Sequence, residues 1–330
     1  MKKGILVCQE SEIRSCVALD ETAVEAVSQG FVYLAQNKVT LPPILRIDVE
    51  EHNGEVDVKT AYVHGLDSFA IKIAAGFFDN RKLGLPTGSG MMVLVSAVTG
   101  RPMGIMLDNG YLTDVRTGCA GAIAAKHLAP KDISVAGVIG SGTQARYQVR
   151  GLKLVRDFST VMVYGIIPEE VEDYAQEMSQ ELNVEVIQAE SAESVLRQSD
   201  VVVTTTPSKE PYLRSEWLHP GLHITCMGSD SEDKQEVHED VFGHVDRIVC
   251  DRKTQVFRLG ELHHALEAGV ISEDDEIYEI GEVIEDENLG RQSKDEITIC
   301  DLTGVGVQDT QIARLAYRKA VDQGKGMYVD

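Results

Sequence analysis

No apolar run in this 330-residue chain approaches the roughly 20 residues that cross a bilayer as a helix. The start, Met1-Lys2-Lys3 followed by Gly4-Ile5-Leu6-Val7-Cys8, breaks at Gln9-Glu10, too soon for the apolar core of a secretory signal, and reads as a first strand. Cysteine is sparse and scattered: Cys8, Cys16, Cys119, Cys226, Cys250 and Cys300 form no CxxC pair and no metal-type cluster. A reducing cytoplasm is the expected setting. Basic charge is also short, with 31 Lys and Arg against 53 Asp and Glu, a formal net charge of −22. Nucleic acid and anionic membrane both repel such a surface. The nine histidines include His263-His264, but there is no HExxH or comparable spacing, so no metal is expected. That pair reads as lying on a helix that faces water or a partner. No constellation supports nucleophilic catalysis.

What the chain does contain falls into three zones. An amphipathic helix is predicted over about residues 20–36, capped by Asp20, with Val24, Val27, Phe31 and Leu34 at helical spacing. Strand-like runs follow at 44–49, 56–63, 69–73, 91–95 and 103–107, joined by Gly, Pro and Asn turns, which predicts a mainly antiparallel sheet. The second zone opens with a helix rich in Ala and Gly, Arg116 to Ala129. Strands at 133–139, 160–164, 184–187, 200–204, 222–227, 247–250 and 297–302 then alternate with helices. Their nearly continuous apolar character suits parallel strands covered on both faces, and so a doubly wound sheet. A last helix, about Thr310 to Val321, is expected to return to the first domain. The predicted fold is thus α/β: a Rossmann-type domain over 117–310 and a discontinuous α+β domain over 1–116 and 311–330.

Gly140-Ser141-Gly142-Thr143-Gln144-Ala145 is a GxGxxA sequence placed between an apolar strand and a helix predicted over Thr143 to Val155. Glycines there allow a tight turn and let backbone N–H groups approach a pyrophosphate at the helix N-terminus. The alternative is a purely structural turn. After the next strand, Val161-Met162-Val163-Tyr164, stands Gly165-Ile166-Ile167-Pro168, with neither the acid that would hold the ribose of NAD nor the arginine that would accept the phosphate of NADP. The lack of a nearby cation favours NAD, and NADP stays open. Thr204-Thr205-Thr206 ends another strand of this zone, where the hydroxyls line a cofactor crevice or simply close a turn.

With these residues the chain resembles the ornithine cyclodeaminase/mu-crystallin family over nearly its whole length. The resemblance rests on Gly137 to Ala145, Leu112-Thr113-Asp114-Val115-Arg116-Thr117, Gly228-Ser229-Asp230 with Lys234, and Asp301 to Asp309. Asn53 to Tyr62 also resembles cyclodeaminase-like proteins of ectoine-utilisation clusters. The resemblance implies a homodimer and an NAD(P)-dependent enzyme acting at the α-carbon of a small amino or imino acid. Ornithine cyclodeamination to proline and ammonia, imino-acid (ketimine) reduction and amino-acid dehydrogenation all lie within the family; a crystallin-like binding protein is the non-enzymatic alternative.

It further implies that Arg46, Lys72 and Arg116 hold the substrate carboxylate, as basic groups can. Asp230, with Lys72, serves catalysis by handling protons at the amine or imine. Gly140, Gly142, Thr143, Gln144, Ala145, Thr204, Thr205, Thr206, Lys234 and Thr303 meet the cofactor. Taken singly, Arg46 and Arg116 read as surface or ion-pair residues. Lys72 differs, because it interrupts the apolar run Phe69-Ala70-Ile71 and Ile73-Ala74-Ala75 and so is expected to point inward. Asp230 alone would read as the cap of a helix over Ser231 to Val237. Asp57 reads as a solvated strand carboxylate, with contact to a substrate side-chain amine as the alternative.

Overall fold

The computed structural model describes residues Gly4 to Asp330. In chain order the first elements are β1 (Ile5–Gln9), α1 (Glu10–Cys16), α2 (Glu21–Ala35), β2 (Val39–Thr40), β3 (Leu45–Val49), β4 (Gly54–Val63), β5 (Ser68–Phe77), β6 (Gly88–Ser96), β7 (Pro102–Leu107) and α3 (Tyr111–Leu128). Alternation then sets in: β8 (Val135–Ile139), α4 (Thr143–Val155), β9 (Thr160–Tyr164), α5 (Pro168–Leu182), β10 (Glu185–Gln188), α6 (Ala192–Gln198), β11 (Val201–Thr204) and β12 (His223–Cys226). The remainder is β13 (Arg247–Cys250), α7 (Lys253–Val256), α8 (Glu261–Glu267), β14 (Ile277–Glu279), α9 (Ile280–Glu285), β15 (Thr298–Asp301), α10 (Gly306–Asp322) and β16 (Met327–Val329). None of the described helices is long and apolar enough to cross a membrane.

The chain divides into two compact units, residues 1–116 with 305–330 and residues 117–304. The return to the first unit thus comes at Val305, six positions before the expected 311, because α10 already begins at Gly306. The first unit is built on a sheet of order β16-β1-β7-β6-β5-β4-β2, with β3 also on β4. Its pairings are antiparallel except β1 with β7, which are parallel. One face of the sheet is covered by α10, which also packs on α2. Asp20 caps α2 as expected, accepting from the Ala23 N–H at 2.9 Å.

The placement of α10 is fixed by sequence. Gly306 lies so close to the Thr60 carbonyl that a Cβ would overlap it. Thr310 donates its hydroxyl to Ala61 O at 2.7 Å and accepts from Ala70 N–H at 3.1 Å, pinning the helix across β4 and β5. The opposite face of the sheet presents Leu45, Ile47, Ile73, Met91 and Leu107, all exposed.

The second unit is a parallel sheet of order β10-β9-β8-β11-β12-β15-β13-β14. Its central strands are buried throughout, as their apolar runs require: Val201 to Thr204 and His223 to Cys226 have no exposed position, whereas the edge strand β10 is largely exposed. Strand order reverses between β8 and β11, the switch point at whose carboxyl edge ligands bind in folds of this kind. β15, late in sequence, is inserted between β12 and β13.

Candidate functional site

In the first unit the register of the sheet sets side chains in rows. Lys59, Lys72, Met92 and Met106 are consecutive neighbours across β4, β5, β6 and β7 on the face beneath α10. The next row on that face is Arg46, Asp57, Ala74 and Gly90. Small residues thus floor the sheet beside the cations, and Gly90 has no room for a side chain, since a Cβ would stand 2.8 Å from Ile73 O.

Lys72 is 2% exposed, so its inward course is as expected. Its Nζ lies 3.2 Å from Asp309 Oδ1, and Arg116 Nε lies 3.1 Å from the same oxygen. Both carboxylate oxygens of Asp309, and Arg116 Nε, are buried without a directed hydrogen bond, so these are charge contacts. Arg116 Nη1 reaches Gln308 Oε1 at 3.5 Å. Burial, the Arg116 charge and Lys59 depress the Lys72 ammonium, Asp309 opposes them, and the result is a pKa of about 7 against the usual 10.5. Two cations therefore share one carboxylate in the interior.

Arg46 stands apart from this pair. Its guanidinium meets Asp48 at 2.9 Å, Glu55 at 2.6 Å and Asp57 at 3.9 Å. Partial burial works against its charge and the three acids more than offset it. Asp57 is 9% exposed rather than solvated, and its Oδ1 has no hydrogen-bond partner. The reading of a solvated strand carboxylate is therefore corrected: the residue lies on the helix-covered face of β4, in register with Arg46.

In the second unit Gly140 takes φ +111°, where a Cβ would strike the Thr205 hydroxyl. Gly142 precedes α4 with open space around its Cα, no side-chain cap and no acid in the first turn. The first N–H groups of a 13-residue helix are thus left to an outside acceptor, which fits a dinucleotide pyrophosphate. Thr143 is exposed at this end, Gln144 is half-buried and Ala145 is buried beneath it. Arg146, the cation of this turn, is committed to Ser141 O, Gly142 O and Glu177. After β9 the chain offers Ile166, 88% exposed, where an acid or arginine would read the ribose.

The three threonines are not a row of free hydroxyls. Thr205 donates to Ile139 O at 3.1 Å. Thr204 and Thr206 both donate to Glu236, which also accepts from Tyr212 OH at 2.9 Å and from the N–H groups of Thr206 and Gly228 at 2.6 and 2.9 Å. Glu236, which no local motif marks, ties the ends of β11 and β12 together. Thr303 is likewise occupied, donating to Asp251 at 3.1 Å and accepting from Gln255 at 2.8 Å. Asp230 follows β12 at the carboxyl edge, and its Oδ1 accepts from Lys234 Nζ at 2.7 Å. No helix spans Ser231 to Val237, so the capping alternative fails. His264, expected to face water or a partner, instead meets Lys234 O at 2.9 Å.

A family model described as the ornithine cyclodeaminase/mu-crystallin family matches residues 3–324. The chain belongs to that family. Among relatives, a putative dehydrogenase of Rhizobium meliloti is 49% identical over 95% of each chain. Of solved structures, a Thermococcus litoralis Δ1-pyrroline-2-carboxylate reductase in complex with NADH and L-proline is 31% identical. It superposes with a TM-score of 0.93 over 98% of this chain and 100% of the other. An archaeal alanine dehydrogenase, a dimer with bound NAD, is 34% identical with a TM-score of 0.90 over 99% of each chain. Family membership so rests on the whole chain, and the doubly wound fold agrees with that expected.

Proposed function

We propose that this member of the cyclodeaminase/mu-crystallin family is an NAD-dependent oxidoreductase acting at the α-carbon of a small amino or imino acid. The observation that carries the reading is the pair Lys72 and Arg116, buried with a single carboxylate between them, Asp309. An interior cluster with one positive charge in excess calls for an anion, and a substrate carboxylate supplies it. The similarity to reductases and dehydrogenases that bind NAD or NADH supports the same reading. The dinucleotide, when bound at the Gly140–Gln144 turn, supplies the hydride acceptor or donor. Lys72 and Arg116 hold the carboxylate, with Arg46 in the adjoining row, and so orient the α-carbon. Asp230 takes a proton from the substrate ammonium, or returns one to an imine, while Lys234 fixes its carboxylate. The alcohol groups of Thr204, Thr206 and Thr303 shape the strand ends through Glu236 and Asp251 rather than contact the nucleotide directly.

The test is turnover by the purified protein. Δ1-Pyrroline-2-carboxylate and pyruvate with ammonia are supplied with NADH or NADPH; L-proline, L-alanine and L-ornithine are supplied with NAD⁺. Oxidation of NADH by at least one imino acid is expected, faster than with NADPH. No change in nicotinamide absorbance with any of them defeats the reading. Cyclodeamination of a diamino acid such as ornithine is a second reading, favoured by the buried Oδ1 of Asp57, which accepts no hydrogen bond and which a distal ammonium would satisfy.

The protein acts as a homodimer in this proposal, in the cytoplasm, where six buried cysteines that form no disulfide are at home. The dimer surface is the outer face of the first sheet, on which Leu45, Val58, Ile73 and Met91 form one continuous row. Leu45 is 54% exposed, and apolar faces of this extent are covered by partners. Ile73→Asp is expected to shift sedimentation from dimer to monomer. A wild-type monomer at micromolar concentration would refute it.

A further inference from the structure

Asp309 carries no role in the proposed reaction beyond its charge, yet its position gives it one. We infer that Asp309 is a positioning residue that couples arrival of the substrate carboxylate to proton uptake by Lys72. The inference rests on the proposed carboxylate site and deepens it.

The geometry comes first. Asp309 lies in the first turn of α10, fully buried, where Thr310 and Gly306 lock the helix against β4 and β5. Its Oδ1 stands between Lys72 Nζ and Arg116 Nε, at 3.2 and 3.1 Å. Arg116 Nε and both Asp309 oxygens are buried without a directed hydrogen bond, so this cluster is held by charge and leaves polar atoms for a further partner. The charged groups facing Lys72 are Lys59 on β4, Arg116 on α3 and Asp309 on α10; its neighbour on β6 is the uncharged Met92.

Charge balance gives the consequence. Protonation of Lys72 adds one positive charge to a cluster in which Arg116 and Lys59 already face a single carboxylate, Asp309, and a buried site disfavours that addition. A carboxylate shifts the preference toward protonation, since its negative charge beside Lys72 offsets the charge that the added proton brings. The event balances as a neutral Lys72 amine, one solvent proton and one carboxylate giving an ammonium–carboxylate pair, with no bond to carbon made or broken. Asp309 sets where this happens: without it, Lys72 keeps the Arg116 and Lys59 charges beside it and loses the carboxylate that works against them. The depressed Lys72 pKa, about 7, puts the coupling near neutral pH.

Pyrrole-2-carboxylate, a planar carboxylate with no imine to reduce, serves as probe in titration calorimetry with NADH present. Titrations in phosphate and in Tris, buffers of different ionisation heat, count the protons taken up. Wild type is expected to take up most of one proton at pH 8, with affinity falling about tenfold per pH unit above pH 7. In Lys72→Met the uptake vanishes and the affinity loses this pH dependence. In Asp309→Asn the pH at which affinity begins to fall moves down by about one unit or more, and Asp309→Glu restores it in part. A merely structural Asp309 would weaken binding without moving that pH. Binding by wild type with no proton uptake between pH 7 and 9, or an unmoved pH in a folded Asp309→Asn, overturns the coupling while leaving the carboxylate site intact. Failure of the probe to bind, together with absence of turnover on every substrate above, removes the site itself and the coupling with it.

Discussion

The two units bury charge in opposite ways. In the first, Lys72 and Arg116 outnumber their one carboxylate, and the donors that face it are misaligned. In the second, Glu236 is surrounded by five donated hydrogen bonds, and Glu261 accepts from the N–H groups of Glu236 and Val237 at 2.8 and 3.1 Å. Burial pushes both glutamates up, and in Glu236 the donors work against that rise. A satisfied acid of this kind rigidifies loops at the edge of a sheet; the proposed carboxylate site instead has buried polar atoms without a hydrogen bond. The state of hydrogen bonding, more than the depth of burial, separates the group that holds the fold from the group that acts.

Substitutions can break that comparison, and the largest effect belongs to the cations. Arg116→Ala should lower kcat/KM by about a thousandfold, roughly 4 kcal/mol, while circular dichroism stays native; a loss below tenfold would place Arg116 with the structural groups. Glu236→Gln replaces one acceptor oxygen by a donor facing donors. Denaturant unfolding should show a loss of about 3 kcal/mol, and a neutral outcome would mean the network is not worth its geometry.

Asp108 sharpens the contrast, being an acid left half-satisfied. One oxygen accepts the Leu112 N–H at 2.7 Å at the head of α3, the other has no partner, and burial raises its pKa from 3.8 to about 6. A carboxyl raised on folding contributes stability that is present below about pH 4 and lost as pH climbs through 6. Asp108→Asn should therefore be more stable than wild type at pH 7, by about 2 kcal/mol, with the advantage shrinking toward pH 4. A variant with no pH-dependent advantage in melting experiments would contradict the assignment. The smallest effect is expected at Thr205→Val, which loses one hydrogen bond to Ile139 O, about 1 kcal/mol in melting stability.

Local pattern carried much of this structure. The helix over Thr143 to Val155 and the strands at 160–164 and 247–250 fall where periodicity and glycine placement put them. Lys72 was legible as inward because a charge inside an apolar strand is too costly to bury without an anion to meet it. What the sequence hid depends on contacts between distant segments. β15 enters the sheet beside β12 through pairing that no local pattern encodes. The bonds that Thr204 and Thr206 donate could not be read locally, because their acceptor, Glu236, lies on a later loop. Asp309 was inside a recognised motif, yet its meaning appears only when α10 is set over β5. Asp230 looked like a helix cap because an acid before Ser-Glu-Asp satisfies the local rule, whereas the segment folds as a loop tied by Lys234.

That Asp309 sits on the last helix has a consequence for how the molecule is made. Lys72 and Arg116 leave the ribosome long before residue 309 of 330. Until then the face of the sheet that α10 covers lies open to water, and Lys72 has neither its burial nor its carboxylate. The buried cluster is therefore assembled only when α10 docks on β4 and β5, so cover and counterion arrive in one step.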